Sequence, residues 1–156
     1  MKETNQIWNG KEIYMANYYA KIRTNYFSVV NSEALKILIS CLSTGDKVEI
    51  FEEKQEDGKI KYAFGCTGSI NGLPVKNQEG GEEDNLEAFY TALQQLLDKD
   101  DAIILTEIGS EKLSYLVSQS TVITKEDIQC VNSKEIALEL AREMLGNKEY
   151  QTQQDY

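Results

Sequence analysis

From Tyr18 onward, apolar and polar positions alternate with a period of two. Ala20, Ile22 and Thr24 fall on one side, and Tyr19, Lys21 and Arg23 on the other, which is the signature of a half-buried strand. After Asn25 the phase flips and Phe27 and Val29 become the apolar positions. That change requires one extra residue, so a β-bulge is expected at or near Asn25. Bulges often re-aim side chains at functional rims, which makes Arg23, Asn25 and Tyr26 a candidate ligand-pocket group. The plainer reading is a bulge that only adds twist.

Asn31 and Ser32 then offer N-caps, and Leu35, Leu38, Ile39 and Leu42 recur at helical spacing up to Gly45. Val48 and Ile50 begin a strand over Lys47 to Lys54. Gln55-Glu56-Asp57-Gly58 reads as a hairpin turn, and Ile60, Tyr62, Phe64 and Cys66 line one face of the return strand. Gly65 to Asp84, which holds Pro74, reads as a long irregular surface loop. Asp84 with Glu87 resembles a capping box, ahead of a helix whose stripe is Leu86, Phe89, Tyr90, Leu93, Leu96 and Leu97. Ala102 to Thr106 is a continuous apolar run, expected as a central strand covered on both faces. Leu113, Tyr115 and Val117 alternate, followed by Val122 and Ile123, and Thr124-x-x-Asp127 looks like a one-turn cap before Ile128 to Val131. Asn132 and Ser133 cap a third helix with the stripe Ile136, Ala137, Leu140, Ala141, Met144 and Leu145, stopped by Gly146.

This order of elements predicts the α+β class with a ferredoxin-like (split βαβ) core and a mainly antiparallel sheet, extended by an extra C-terminal strand and helix. Residues 15–146 form the expected single domain. Residues 1–14 read as a disordered or extraneous N-terminal extension, and 147–156 as a polar tail.

Composition narrows the chemistry. With no histidine among 156 residues, Ser/His/Asp and Cys/His nucleophile systems are excluded. Cys41, Cys66 and Cys130 are widely spaced and odd in number, so neither a disulfide framework nor a zinc site is expected; each reads as a small buried hydrophobe. The Asp98 to Asp101 cluster lacks the ligand spacing of a calcium loop, and Gly65, Gly68 and Gly72 fit no phosphate-binding pattern. No catalytic residue, metal or cofactor is therefore expected. No run approaches the roughly 18 apolar residues of a membrane span, and the chain is expected to be soluble and cytoplasmic. Tyr18, Tyr19, Tyr26, Phe27 and Tyr62, with Lys21 and Arg23, are the types a nucleic-acid-binding sheet uses, but a net charge of −10 repels polyanions and attracts basic surfaces.

The runs RTNYF (Arg23 to Phe27), FGCTGSI (Phe64 to Ile70), EKLSYL (Glu111 to Leu116), TVITKEDI (Thr121 to Ile128) and AREMLGN (Ala141 to Asn147) resemble a group of small acidic proteins of plasmids, conjugative elements and phages of Gram-positive bacteria. The resemblance spans Met15 to Tyr156, with Gly72 to Glu83 outside it. It implies a mobile-element protein of anti-defence type, anti-CRISPR or anti-restriction, some of which present carboxylates in place of DNA phosphates. The expected function is a non-enzymatic inhibitor of a host DNA-handling protein, with a basic protein partner such as a nuclease and no direct contact with nucleic acid or membrane. Its partner-binding residues would be Glu49, Glu52, Glu53, Glu56 and Asp57 in the hairpin, and Glu79, Glu82, Glu83, Asp84 and Glu87 in the loop and helix start. Two alternatives stand beside it: a small-ligand module around Arg23, Asn25 and Tyr26, and an accessory protein with no inhibitory role.

Gly10-Lys11-Glu12-Ile13-Tyr14 admits codons that spell a purine-rich ribosome-binding sequence just before the Met15 codon. Met15 is therefore the expected natural start. N-terminal peptide mass spectrometry of the endogenous protein should find no peptide from Lys2 to Tyr14; intact peptides from that stretch would sink the idea.

Overall fold

A computed structural model of the chain describes residues 18–155 in full and, before them, the backbone of Asn5–Trp8 (β1) and Lys11–Tyr14 (β2). β1 and β2 pair antiparallel as a separate two-stranded ribbon. The expected N-terminal extension otherwise lies outside the described residues.

The protein is α+β, with mostly antiparallel sheets and three helices. Its centre is a six-stranded sheet. Tyr19–Thr24 (β3) pairs on one side with Ile60–Thr67 (β6) and on the other with Ile103–Glu111 (β9). Glu49–Lys54 (β5) closes the edge beyond β6, while Tyr115–Ile123 (β10) and Ile128–Asn132 (β11) extend the sheet beyond β9. All neighbouring strands run antiparallel.

Ser32–Ser40 (α1) and Leu86–Leu96 (α2) bury one stripe each against a single face of this sheet, through Leu35 and Ile39 and through Phe89 and Leu93. Ile22, Phe64, Cys66, Ile103, Leu105 and Ile123 supply the sheet's side of the core. Phe64 sits at its middle, edge-on to Phe27 at 6.2 Å and to Phe89 at 6.0 Å. Such rings favour this geometry, because the positive edge of one meets the negative face of the other.

The other face of the sheet carries no helix among the described residues. Ile104 is 43% and Ile108 55% exposed, so the Ala102 to Thr106 run is not covered on both faces as expected. An antiparallel sheet can leave one face to solvent, and here it does so despite the apolar sequence.

The phase change after Asn25 has the anticipated cause. Arg23 pairs with Gly65 and Phe27 with Tyr62, so Thr24, Asn25 and Tyr26 stand opposite only Ala63 and Phe64. The extra residue is held on both sides. The Phe64 N–H donates to Thr24 Oγ1 at 3.0 Å, the Ile104 N–H donates to Asn25 Oδ1 at 2.7 Å, and Asn25 Nδ2 donates to the Ala102 carbonyl at 2.9 Å.

Four further expectations are corrected. Gly65 to Asp84 is not an irregular loop: Ile70–Lys76 (β7) pairs with Glu82–Asn85 (β8) and with the short Ser43–Thr44 (β4) in a second sheet. Pro74 stands opposite Asp84 of β8 and beyond the residues of β7 that pair with β4. Gly72 has φ +123°, and a Cβ there would lie 2.4 Å from the Asn85 carbonyl carbon; only glycine lets β7 pass so close to the start of α2. The cap of α2 is Asn85, accepting from the Ala88 N–H, rather than Asp84. Of the cysteines only Cys66 is buried; Cys41 and Cys130 are exposed. The Thr124 to Asp127 stretch is the turn of the β10–β11 hairpin, closed by the Thr124 N–H donating to the Asp127 carbonyl.

Ser133–Leu145 (α3) has the anticipated caps, Asn132 and a left-handed Gly146. It buries none of its residues. Ile136, Leu140 and Met144 are 55%, 53% and 79% exposed, because Lys134, Leu138 and Arg142 form the side turned to β10 and the C-terminal segment. Among the described residues no helix is long and apolar enough to cross a membrane.

Asp101 fastens the chain where it leaves the bulge. Its carboxylate accepts from the Ser28 N–H at 2.8 Å and the Ala102 N–H at 2.9 Å, and the Lys61 ammonium stands 3.5 Å away. Burial by itself pushes this carboxyl up, but the two N–H groups and Lys61 together outweigh it and hold it below the ordinary carboxylate range. Its stabilisation is therefore complete above the unfolded value of about 3.9 and is lost as pH falls through the lower folded pKa. Asp101→Asn is expected to cost about 1–2 kcal/mol at neutral pH and to flatten the acid limb of the stability profile. A variant whose denaturant-derived stability keeps the full acid limb would show that Asp101 does not set it.

Candidate functional site

The ten acidic residues anticipated as a partner surface are all exposed, yet they form two groups rather than one. Glu49 and Glu53 share the helix-free face of β5 with Phe51, whereas Glu52 turns to the helix side, where Lys36 meets it at 3.6 Å. Glu56 and Asp57 occupy the β5–β6 turn, with Asp57 accepting the Lys59 N–H at 2.9 Å. Lys61 stands opposite Glu53 but sends its ammonium to Asp101, so Glu53 keeps its charge unneutralised on that side. Glu82, Glu83 and Asp84 lie on β8, the edge of the second sheet, with Glu79 in the preceding turn and Glu87 in the first turn of α2. Asp84 is tied to Ser43 Oγ at 3.0 Å. The two groups thus sit on edges of different sheets.

Arg23, Asn25 and Tyr26 do not form a pocket together. Asn25 spends its side chain on Ile104 and Ala102. The Arg23 guanidinium lies 4.3 Å above the Phe51 ring and reaches the Tyr26 hydroxyl only at 3.5 Å. It borders a shallow cleft of about 360 Å³ on the helix-free face, which Asn25 and Tyr26 do not line. Among the described residues no metal-ligating set gathers, and Asp101 of the Asp98 to Asp101 cluster is engaged structurally.

A polar cluster that the sequence reading passed over lies on the opposite, helix-bearing face. Tyr18 donates to Glu107 Oε2 at 2.6 Å and stacks on Tyr115 with ring centres 5.8 Å apart and planes 6° from parallel. Burial, then the bond to Glu107 and that carboxylate's charge, push the Tyr18 hydroxyl well above the ordinary phenol range. Gly109 makes the arrangement possible: a Cβ there would stand 2.3 Å from the Tyr18 hydroxyl oxygen. Tyr90, on α2, approaches from the other side, its hydroxyl also pushed up by burial, with Thr121 opposing. A signal was present in the sequence. Glu107 continues the Ile103, Leu105 face at strand spacing, where a carboxylate is out of place.

Gly109→Ala should drive Tyr18 off Glu107. The expected result is a loss of about 1–3 kcal/mol, together with a tyrosine that ionises at lower pH in a spectrophotometric titration; unchanged stability and titration would show that Tyr18 does not lie across Gly109.

No protein-family description, curated protein or solved structure matches this chain.

Proposed function

We propose that this protein is a non-enzymatic acidic binding protein that inhibits a DNA-handling or defence protein, and that the centre of its sheet is a split βαβ, ferredoxin-like core. The strand order β9-β3-β6-β5, with α1 linking β3 to β5 and α2 lying between β6 and β9, agrees with that core.

The functional reading rests on β5. Among the described residues its outer edge has no neighbouring strand, and Glu49, Glu52, Glu53, Glu56 and Asp57 are exposed along it and its turn. Side chains on one face of a strand recur every second residue, at about twice the roughly 3.4 Å rise, so Glu49 and Glu53 on the helix-free face and Glu52 on the helix side flank the edge from both faces. Carboxylates along such an edge can stand in for a phosphate row before a basic groove. The resemblance to small acidic mobile-element proteins supports a defence protein as the target. The exposed apolar row of α3, beyond the opposite edge of the sheet, favours protein association as well.

The test is retention of a DNA-binding protein by the tagged chain from nuclease-treated Gram-positive lysate. Binding should weaken steeply with salt, as phosphate contacts do, and added duplex DNA should compete. The combined substitution Glu52→Lys, Glu53→Lys and Glu56→Lys should abolish retention while shifting stability by only about 0.5 kcal/mol or less per site, as is usual for exposed positions. Retention unaffected by the triple substitution would rule this edge out.

A further inference from the structure

Three cavities meet at one side chain. Gln119 on β10 lines a cleft of about 520 Å³ between α2 and β11, a small chamber of about 40 Å³ and a second cleft of about 450 Å³ toward α3. It is half-buried, and its carboxamide meets no hydrogen-bond partner among the described residues. Directly across the strand pair stands Glu107, which lines the same chamber. Its carboxylate takes the Tyr18 hydroxyl, but no lysine or arginine pairs with it among the described residues.

A half-buried carboxylate whose one donor is a neutral hydroxyl has given up part of its hydration without gaining a counter-ion. The surroundings suit a cation. Tyr90 lines the chamber together with Glu107, and tyrosine ring faces attract positive charge. Leu86, Tyr90, Gln119 and Thr121 are shared by the chamber and the larger cleft, so one molecule can lie along both. The chamber is of the order of the ~30 Å³ that a water occupies in the liquid, which suits an ammonium head, while Leu86 and Ile128 offer apolar wall to an alkyl chain behind it.

We propose that this cleft binds a primary alkylammonium, with Glu107 as its counter-ion and Gln119 orienting the head through the carboxamide oxygen. The site lies on the helix-bearing face, where Glu87, one of the ten exposed acidic residues, lines its outer cleft, but it does not depend on the inhibitor reading. The ammonium can belong to a free amine or to a lysine side chain of another protein.

The full chain, isotope-labelled, is titrated with n-butylammonium at about 0.15 M ionic strength and followed by NMR. Saturating shifts are expected at the Gln119 side-chain amide and across Glu107 and Thr121. Glu107→Gln keeps an acceptor for Tyr18, and should weaken binding about tenfold or more; Glu52→Gln, on the outer edge, should leave it unchanged. Neutral 1-butanol should not bind. Absence of saturable shifts at Gln119, equal affinity in Glu107→Gln, equal binding of 1-butanol, or an equal loss in Glu52→Gln would each overturn the proposal. N-acetyl-lysine amide separates the sources: its tighter binding assigns the cleft to a protein side chain and tighter binding of butylammonium to a free amine, and both support the ammonium site.

Discussion

Asn25 carries the β3–β9 ladder past the point where the backbone steps out of register. It accepts the Ile104 N–H and donates to the Ala102 carbonyl, so a side chain takes over bonds that the next backbone amide would have made. Everything at the centre depends on this substitution. β3 alone pairs with both β6 and β9, and the extra residue it accommodates turns Phe27 inward, where it is fully buried against Phe64. Without the bulge, the period-two rule would send Phe27 to the helix-free face. The core would then lose a side chain whose burial contributes about 1.5–3 kcal/mol. Asp101 secures the same region from the other end, holding Ser28 after the bulge and Ala102 before β9.

Where side-chain pattern dominates, the fold was legible. The alternation through Ala20, Ile22 and Thr24, its flip at Phe27, and the stripes Leu35 and Ile39, Phe89 and Leu93 all correspond to buried positions. β7 and β8 were not legible. β8 is Glu82-Glu83-Asp84-Asn85, with no apolar residue to alternate, and it forms because β7 offers it a ladder. β7 in turn contains Gly72 and Pro74, residues that ordinarily argue against a strand. The apolar run at Ile103 misled for the converse reason: burial on both faces depends on how many layers cover a sheet, and no strand's own sequence records that. The stripe of α3 was read correctly as a helix face, but amphipathicity does not say whether anything packs against it.

The candidate site divides along the same line. Exposed carboxylates could be identified from composition and turn position, but their division between two sheet edges required the topology. Arg23 was singled out as the rim of a pocket; it borders a cleft, stacked on Phe51, but Asn25 and Tyr26 do not share that cleft. The Tyr18, Glu107 and Gln119 cluster brings together residues about ninety positions apart in sequence, a proximity created by the β3–β9 and β9–β10 pairings. Only the misplacement of Glu107 on an apolar face hinted at it.

The free edge of β5 has a consequence for the behaviour of the protein as a material. An unpaired strand edge is a template on which further chains can add, and β5 combines such an edge with Phe51 on its open face. Its carboxylates are what keep like copies apart. Near the isoelectric point of about 4.5 the net charge of the chain vanishes and that repulsion fades, leaving backbone groups and an aromatic ring to meet other copies. Colloidal stability is thus concentrated on one margin of the sheet, and acidification converts that margin from a repulsive rim into an adhesive one.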